Sequence, residues 1–495
     1  MKFILIAIVA ACSFAVNAAG IAAFSIHDAR LADAGEKPQP PLPCRIHLFD
    51  ETGKAQRAAG LPFWFDHFVC DGTASVTLQP GKYRYEIESG PEWNAAKGEF
   101  TLAEGQTVAV AEKLARLANL SAEGWWSGET HIHRSLADIE LLMRAEDLHV
   151  GAVATWWNGR NDWLKTAVPE NRTRNFDGDR FYHVLGGEDE RGGGALMLLN
   201  LKQPLALIGA AREYPPSVKF LADAKAAGAW VDIEKPFWWD VPIWLATGNA
   251  DSIGLLNNHL NRSGMMDAEA WGRPRDRNLF PPPHGNGLYS QSLYFHILNC
   301  GLRIPPSAGS ASGVLPNPVG YNRVYVHLDG PLTYEKWWEG LKAGRAFVTN
   351  GPLLRVTANG EWSGKVFKSG GTELVVRLEG RLDSRDKLKS VELIVNGVAA
   401  EITLPHTFTL TDSGWFLVRA TNDVEKTLRT ALTAPWYVEF EGRPLKPARE
   451  SVQMFLNWTQ ERGGLIEKAL ADPEQRAEAL KAVRDAEAFW MKLLK

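Results

Sequence analysis

The residues whose types and spacing could do chemistry begin at Glu129-Thr130-His131-Ile132-His133, inside the Trp-rich run 124–134. In a strand, residues two apart point to the same face, so Glu129, His131 and His133 are expected to project together, with Ile132 on the other side. Two imidazoles and a carboxylate are ligand types for zinc, manganese or iron. The same pattern also occurs as a hydrogen-bonded His pair on a strand edge.

Further polar groups follow short apolar runs. Thr155-Trp156-Trp157-Asn158, Glu188-Asp189-Glu190-Arg191, Glu234-Lys235, Asn257-Asn258-His259 and Ser307-Ala308-Gly309-Ser310 each sit at such a point. The elements needed to position them can be read from the pattern. Runs at 150–155, 182–187, 195–200, 229–233 and 252–257 have strand character, and 137–148 and 216–227 have helical spacing. Strands alternating with helices predict a mostly parallel sheet covered on both faces, open or closed into a barrel. In a barrel the C-terminal strand ends form the reactive face. His131, His133, Glu188, Glu234 and His259 should share it, and His149, at a strand start, should lie away. Ordinary polar loops and caps would produce the same composition without a site.

The chain of 495 residues is too long for one core. A 45% hydrophobic and 23% charged composition fits a folded protein, and a net charge of −4 without a basic stripe argues against nucleic-acid binding. Lys2, the apolar run 3–11 and Val16-Asn17-Ala18 read as a signal peptide cleaved after Ala18, which predicts a secreted or periplasmic protein. Cys12 as a lipoprotein site is the less favoured alternative. No later run has the ~20 apolar residues of a membrane span. In an oxidising compartment Cys44 and Cys70 could pair, while Cys300 reads as a small buried hydrophobe. Alternating segments and turns over 19–119 predict a β-sandwich, in which His47 and His67 are taken as structural. A second sandwich is expected over 351–447, with a core-docked amphipathic helix in the helical segment 448–495.

The stretches Ser127-Gly-Glu-Thr-His-Ile-His, Gly186-Gly-Glu-Asp-Glu-Arg-Gly-Gly-Gly, Val231-Asp-Ile-Glu-Lys-Pro, Asn257-Asn-His and Asn317-Pro-Val-Gly-Tyr-Asn-Arg-Val-Tyr resemble the PHP superfamily, and more closely its secreted CehA/McbA-type metallohydrolases. The resemblance spans about 120–355. It implies a distorted (β/α)7 barrel over 120–350, flanked by the two sandwiches, with metal at the C-terminal face. His131 and His133 match the first ligand motif, and Glu188 matches the bridging carboxylate. Other ligand positions are altered: Trp156-Trp157 replaces Asp-His, Glu234 replaces a His before Pro, and Ala311-Ser312-Gly313 replaces Asp-x-His. The surviving set, His131, His133, Glu188 and either His259 or Glu234, implies one divalent ion, zinc first, with manganese and iron open.

Two functions are in competition. In the first, a metal-dependent hydrolase cleaves an ester, phosphoester, amide or carbamate. Glu129, Asp189 or Glu234 would be its general base, and Arg191 would stabilise developing negative charge. In the second, a decayed barrel binds carbohydrate or aromatic ligands through Trp156, Trp157, Asn158, Trp238 and Trp239; ten of the nineteen Trp lie between 125 and 271. A carboxylate pair of Glu188 and Glu234 acting on a glycoside is a third possibility.

Overall fold

The structure is a computed structural model and describes residues 18–30 and 40–495. Cys12 and nearly all of the segment read as a signal peptide lie outside the described residues. The described residues form two compact units: one comprises 18–30, 40–87 and 95–114, the other 88–94 and 115–495.

The first unit is built from two sheets. Gly20–Asp28 runs antiparallel to Thr73–Leu78 and parallel to Thr107–Leu114. The second sheet has the order Phe63–Trp64, His67–Cys70, Cys44–Asp50, Gly81–Glu88, Ala96–Leu102. Alternation is clean in Thr73–Leu78, where Ala74, Val76 and Leu78 are buried and Thr73, Ser75 and Thr77 exposed. Cys44 and Cys70 are directly opposite on adjacent strands. The expected disulfide is not formed: both are buried free thiols with their sulfurs 3.7 Å apart, well beyond the ~2.05 Å of an S–S bond.

In the second unit the expected (β/α)7 barrel is not present. The molecule is sheet-rich, 37% strand against 20% helix. Trp125–Ile132, Val150–Trp157 and Arg180–Arg191 pair in parallel, as do Trp230–Ile233, Ser252–Leu256 and Pro306–Ala308. Between these two sets, Gly194–Leu199 is antiparallel to both of its neighbours. Arg323–His327 is antiparallel to Trp125–Ile132 and to Ala346–Thr349. The reason lies in Gly192-Gly193. These two residues close a hairpin in which Arg191 faces Gly194, so two runs that look like successive parallel strands become one antiparallel pair. A side chain on Gly193 would collide with Asp240, and one on Gly194, whose φ is +119°, with Trp238.

The sheet continues beyond residue 350, because Ala346–Thr349 pairs with Thr430–Thr433. Leu353–Ala358, Leu374–Asp383 and His406–Leu410 form a separate three-stranded sheet. It shares a core of Leu353, Val356, Phe416, Val418 and Trp436 with the strands around Gly414–Asn422. The chain ends in two helices, Arg449–Ala469 and Pro473–Leu493. Asp472 caps the second by accepting from the Glu474 and Gln475 amides, with Pro473 in the first turn. Its buried stripe Ala479, Val483, Ala486 and Trp490 faces the core, and Trp490 Nε1 donates to the Pro242 carbonyl at 3.1 Å.

Candidate metal centre

Trp125–Ile132 lies between Val150–Trp157 and Arg323–His327, so its side chains are enclosed from both flanks. Its pairing with Val150–Trp157 contains a bulge: Gly151 faces Glu129, whereas Val153 faces Ile132. The extra residue breaks simple alternation. Glu129 therefore leaves the face expected of it and accepts from the backbone amides of Ser310 and Gly320. Thr130 donates to Asp232 Oδ2 at 3.2 Å and to the Ala308 carbonyl at 3.1 Å. His131 and His133 turn into the protein together. The segment behind them fixes their backbone, with the Ala311 amide on the His131 carbonyl and the His133 amide on the Ser312 carbonyl. Gly313, at φ +102°, lies so close to the His133 carbonyl that a Cβ would clash.

The donor atoms converge. His131 Nε2 and His133 Nε2 are 2.9 Å apart. Glu188 Oε1 is 3.5 Å from His131 Nε2, and Glu188 Oε2 is 3.1 Å from His133 Nε2. Glu234 Oε1 lies 3.5 Å from His131 Nδ1. A tetrahedral ion with bonds of about 2.0–2.2 Å separates its ligands by about 3.3–3.6 Å. The 3.5 Å contact of Glu188 with His131 falls within that spacing, whereas the 3.1 Å contact with His133 and the 2.9 Å His–His contact are shorter and need a small opening. Buried atoms with no hydrogen bond include Glu234 Oε1, His131 Nδ1 and His133 Nδ1. The two Nε2 nitrogens and the Glu188 carboxylate, convergent and with almost no exposed side-chain surface, fit a divalent transition ion.

The electrostatics follow from this crowding. Burial alone would lower the His131 pKa, but Glu188 and Glu234 override it and raise it to about 10. Burial pushes Glu188 up, yet His131 and His133 hold it well below the usual carboxylate range. For Glu234, burial is outweighed by Lys235 and His131, which bring it down to about 2.

The other predicted site residues are placed as follows. Glu129, proposed as a base, is a backbone anchor; burial raises its pKa to about 7 against the pull of the two amides. Asp189 and Arg191 form a two-point ion pair at 2.6 and 2.9 Å. Arg191 also donates to the Ala211 and Pro215 carbonyls, which leaves it clamping loops. Trp156 and Trp238 are each 1% exposed and belong to the core, so neither offers a face to a ligand. Trp239 is half-buried against that core. Trp157 is half-buried, with its ring edge-on to His133 at 5.0 Å. Asn158 donates to Asp189 at 2.9 Å and accepts from the Glu190 amide at 2.6 Å. His259 is buried beside Lys235 and Glu234, its ring 5.5 Å from Phe237, and is not part of the convergent trio. His149 lies elsewhere, bound to Ser127 at 2.9 Å.

Glu190 was missed. It shares a strand face with Glu188, two residues away on Arg180–Arg191, and its side chain is exposed. Partial loss of water around its carboxyl and the charge of Glu188 raise its pKa to about 7, with Lys235 opposing. Period-two alternation, applied to Glu188, would have selected Glu190 over Asp189.

A second group that could hold an ion, His47, Asp66 and His67, lies in the first unit. Both His Nδ1 atoms face Asp66 Oδ1, at 3.2 and 3.0 Å. Arg45 Nε donates to His47 Nε2 at 3.0 Å, which puts the ring hydrogen on Nδ1. His47 Nε2 is thus taken by Arg45, and Asp66 already faces both rings, so this group reads better as a structural ion-pair cluster. Comparison with known proteins adds no assignment: no family model, no curated protein and no solved structure matches the chain.

Proposed function

We propose that this chain is an exported, metal-dependent hydrolase with a single divalent ion, zinc as first choice, held by His131, His133 and Glu188. The observation that carries this reading is the buried convergence of those three side chains at ligand-like spacings. The motif resemblance to the PHP superfamily supports hydrolysis as the reaction type. When bound, such an ion lowers the pKa of its water and polarises the scissile group. Glu234 Oε1 faces the opposite ring nitrogen of His131 at 3.5 Å, where a small closure would let it accept from that nitrogen and orient the ring, as carboxylates do for ligating histidines. Glu190, exposed on the Glu188 face, takes the general-base role in place of Glu129 and Asp189, which are tied to other partners. Trp157 packs beside His133 and limits water on that side. The ligand-binding alternative loses its main support, because Trp156 and Trp238 are buried.

The test is the metal content of purified protein, followed by ester, phosphoester, amide and carbamate panels before chelation, after chelation and after reloading. Activity should vanish with the chelator and return with metal, and His131→Ala and His133→Ala should abolish both occupancy and rate. A chain that binds no ion at micromolar levels and hydrolyses nothing refutes the proposal.

A further inference from the structure

Beside the three ligands sits a cation that belongs to the chain. Lys235 is 3% exposed. Its Nζ pairs with Glu234 Oε2 and lies 4.6 Å from the Trp238 ring centroid. Trp238 Nε1 donates to the same Glu234 oxygen at 3.0 Å. Glu234 is therefore divided: Oε2 is committed to Lys235 and Trp238, whereas Oε1 faces His131 without a hydrogen bond. His259, 3% exposed, feels the charges of both Lys235 and Glu234, and its Nδ1 is buried with no hydrogen-bond partner.

Charge balance gives this arrangement a consequence. Glu188, Glu190 and Glu234 bring three negative charges when ionised. One divalent ion and the Lys235 ammonium neutralise them. A second divalent ion would raise the cluster to a net +2 with the ammonium present, against +1 without it, in a site where Lys235, Glu188 and Glu234 are almost fully buried, and burying uncompensated charge is costly. A cation–π contact with Trp238 and a carboxylate pair hold the ammonium in place.

We propose that Lys235 is a covalently fixed second cation of this centre, and that its occupation of Glu234 Oε2 limits the site to one metal ion. The inference rests on the metal-centre reading above. Removing the ammonium takes one positive charge from the cluster and leaves Glu234 Oε2 with a single neutral donor, Trp238 Nε1.

The experiment is zinc stoichiometry, measured by titration calorimetry and by metal analysis of the dialysed chain, with circular dichroism as the check on folding. Wild type and Lys235→Arg should bind one equivalent, and Lys235→Met should bind two. Lys235→Gln, which removes the positive charge but keeps a polar side chain, serves the same purpose and is also expected to bind two if the Met variant does not fold. Two equivalents on wild type, or one on a folded Lys235→Met or Lys235→Gln, overturn the role of Lys235 while leaving the metal centre standing. A wild-type chain that binds no zinc overturns both.

Discussion

Glu188→Gln separates a metal centre from a buried ion-pair cluster that only looks like one. Glu188 uses both oxygens, one toward each imidazole, at 3.5 and 3.1 Å. A neutral amide can supply one weaker oxygen donor and presents an NH2 to the other ring. For the wild type, an ion present at a thousandfold excess over its Kd adds about 4 kcal/mol of stability by mass action. A domain of 150–250 residues shifts by about 2–4 °C per kcal/mol, and a larger unit by less, so the wild-type midpoint should rise by about 8 °C or somewhat less on loading. The assay is scanning calorimetry of chelator-treated protein, with and without zinc. Glu188→Gln should show under a quarter of the wild-type shift, because its weakened donor set raises Kd. In an ion-pair cluster without metal affinity, zinc leaves the wild-type midpoint unchanged, and Glu188→Gln lowers it equally with and without chelator. That second pattern refutes the reasoning.

Other expectations follow from the packing. Trp156→Ala should cost about 3–5 kcal/mol in urea denaturation, since the residue is 1% exposed in the core, and Trp157→Ala less than half as much; equal losses would mean Trp156 is not a core residue. Burial brings the His149 pKa down to about 3, with Asp147 opposing and Arg180, Arg323 and Arg116 assisting. Its folded pKa is below the unfolded value, so the unfolded chain binds the extra proton and stability is lost as pH falls from 6.5 toward 3. Between pH 6.5 and 5 this amounts to about 2 kcal/mol, and His149→Gln should show a correspondingly flatter dependence in denaturant titrations; equal slopes would contradict it. Under oxidising conditions Cys44 and Cys70, opposed at 3.7 Å, should close, giving a non-reduced mass lower by two hydrogens; thiols that persist after oxidation would count against the pairing.

How far the sequence reached can be judged residue by residue. The spacing of His131 and His133 was readable because alternation in a strand is a local property, and the short apolar runs marked where polar groups would cluster. The amphipathic stripe of Val483, Ala486 and Trp490 was readable for the same reason, since helical period and burial coincide. Pairing direction was not readable. Whether Gly194–Leu199 continues a parallel series or folds back depends on a two-glycine hairpin whose backbone must pass Asp240 and Trp238, both distant in sequence. Local alternation also misassigned Glu129, because a bulge against Val150–Trp157 turned its carboxylate toward the Ser310 and Gly320 amides. The company that His131 keeps, Glu188 and Glu234 from two other parts of the chain, is set by long-range strand packing. Composition names the residue types available for chemistry, but burial decides which of them lose water and must find each other. For Trp156 and Trp238 it decided the opposite, drawing large rings into the core because covering their apolar area outweighs leaving them exposed to a ligand.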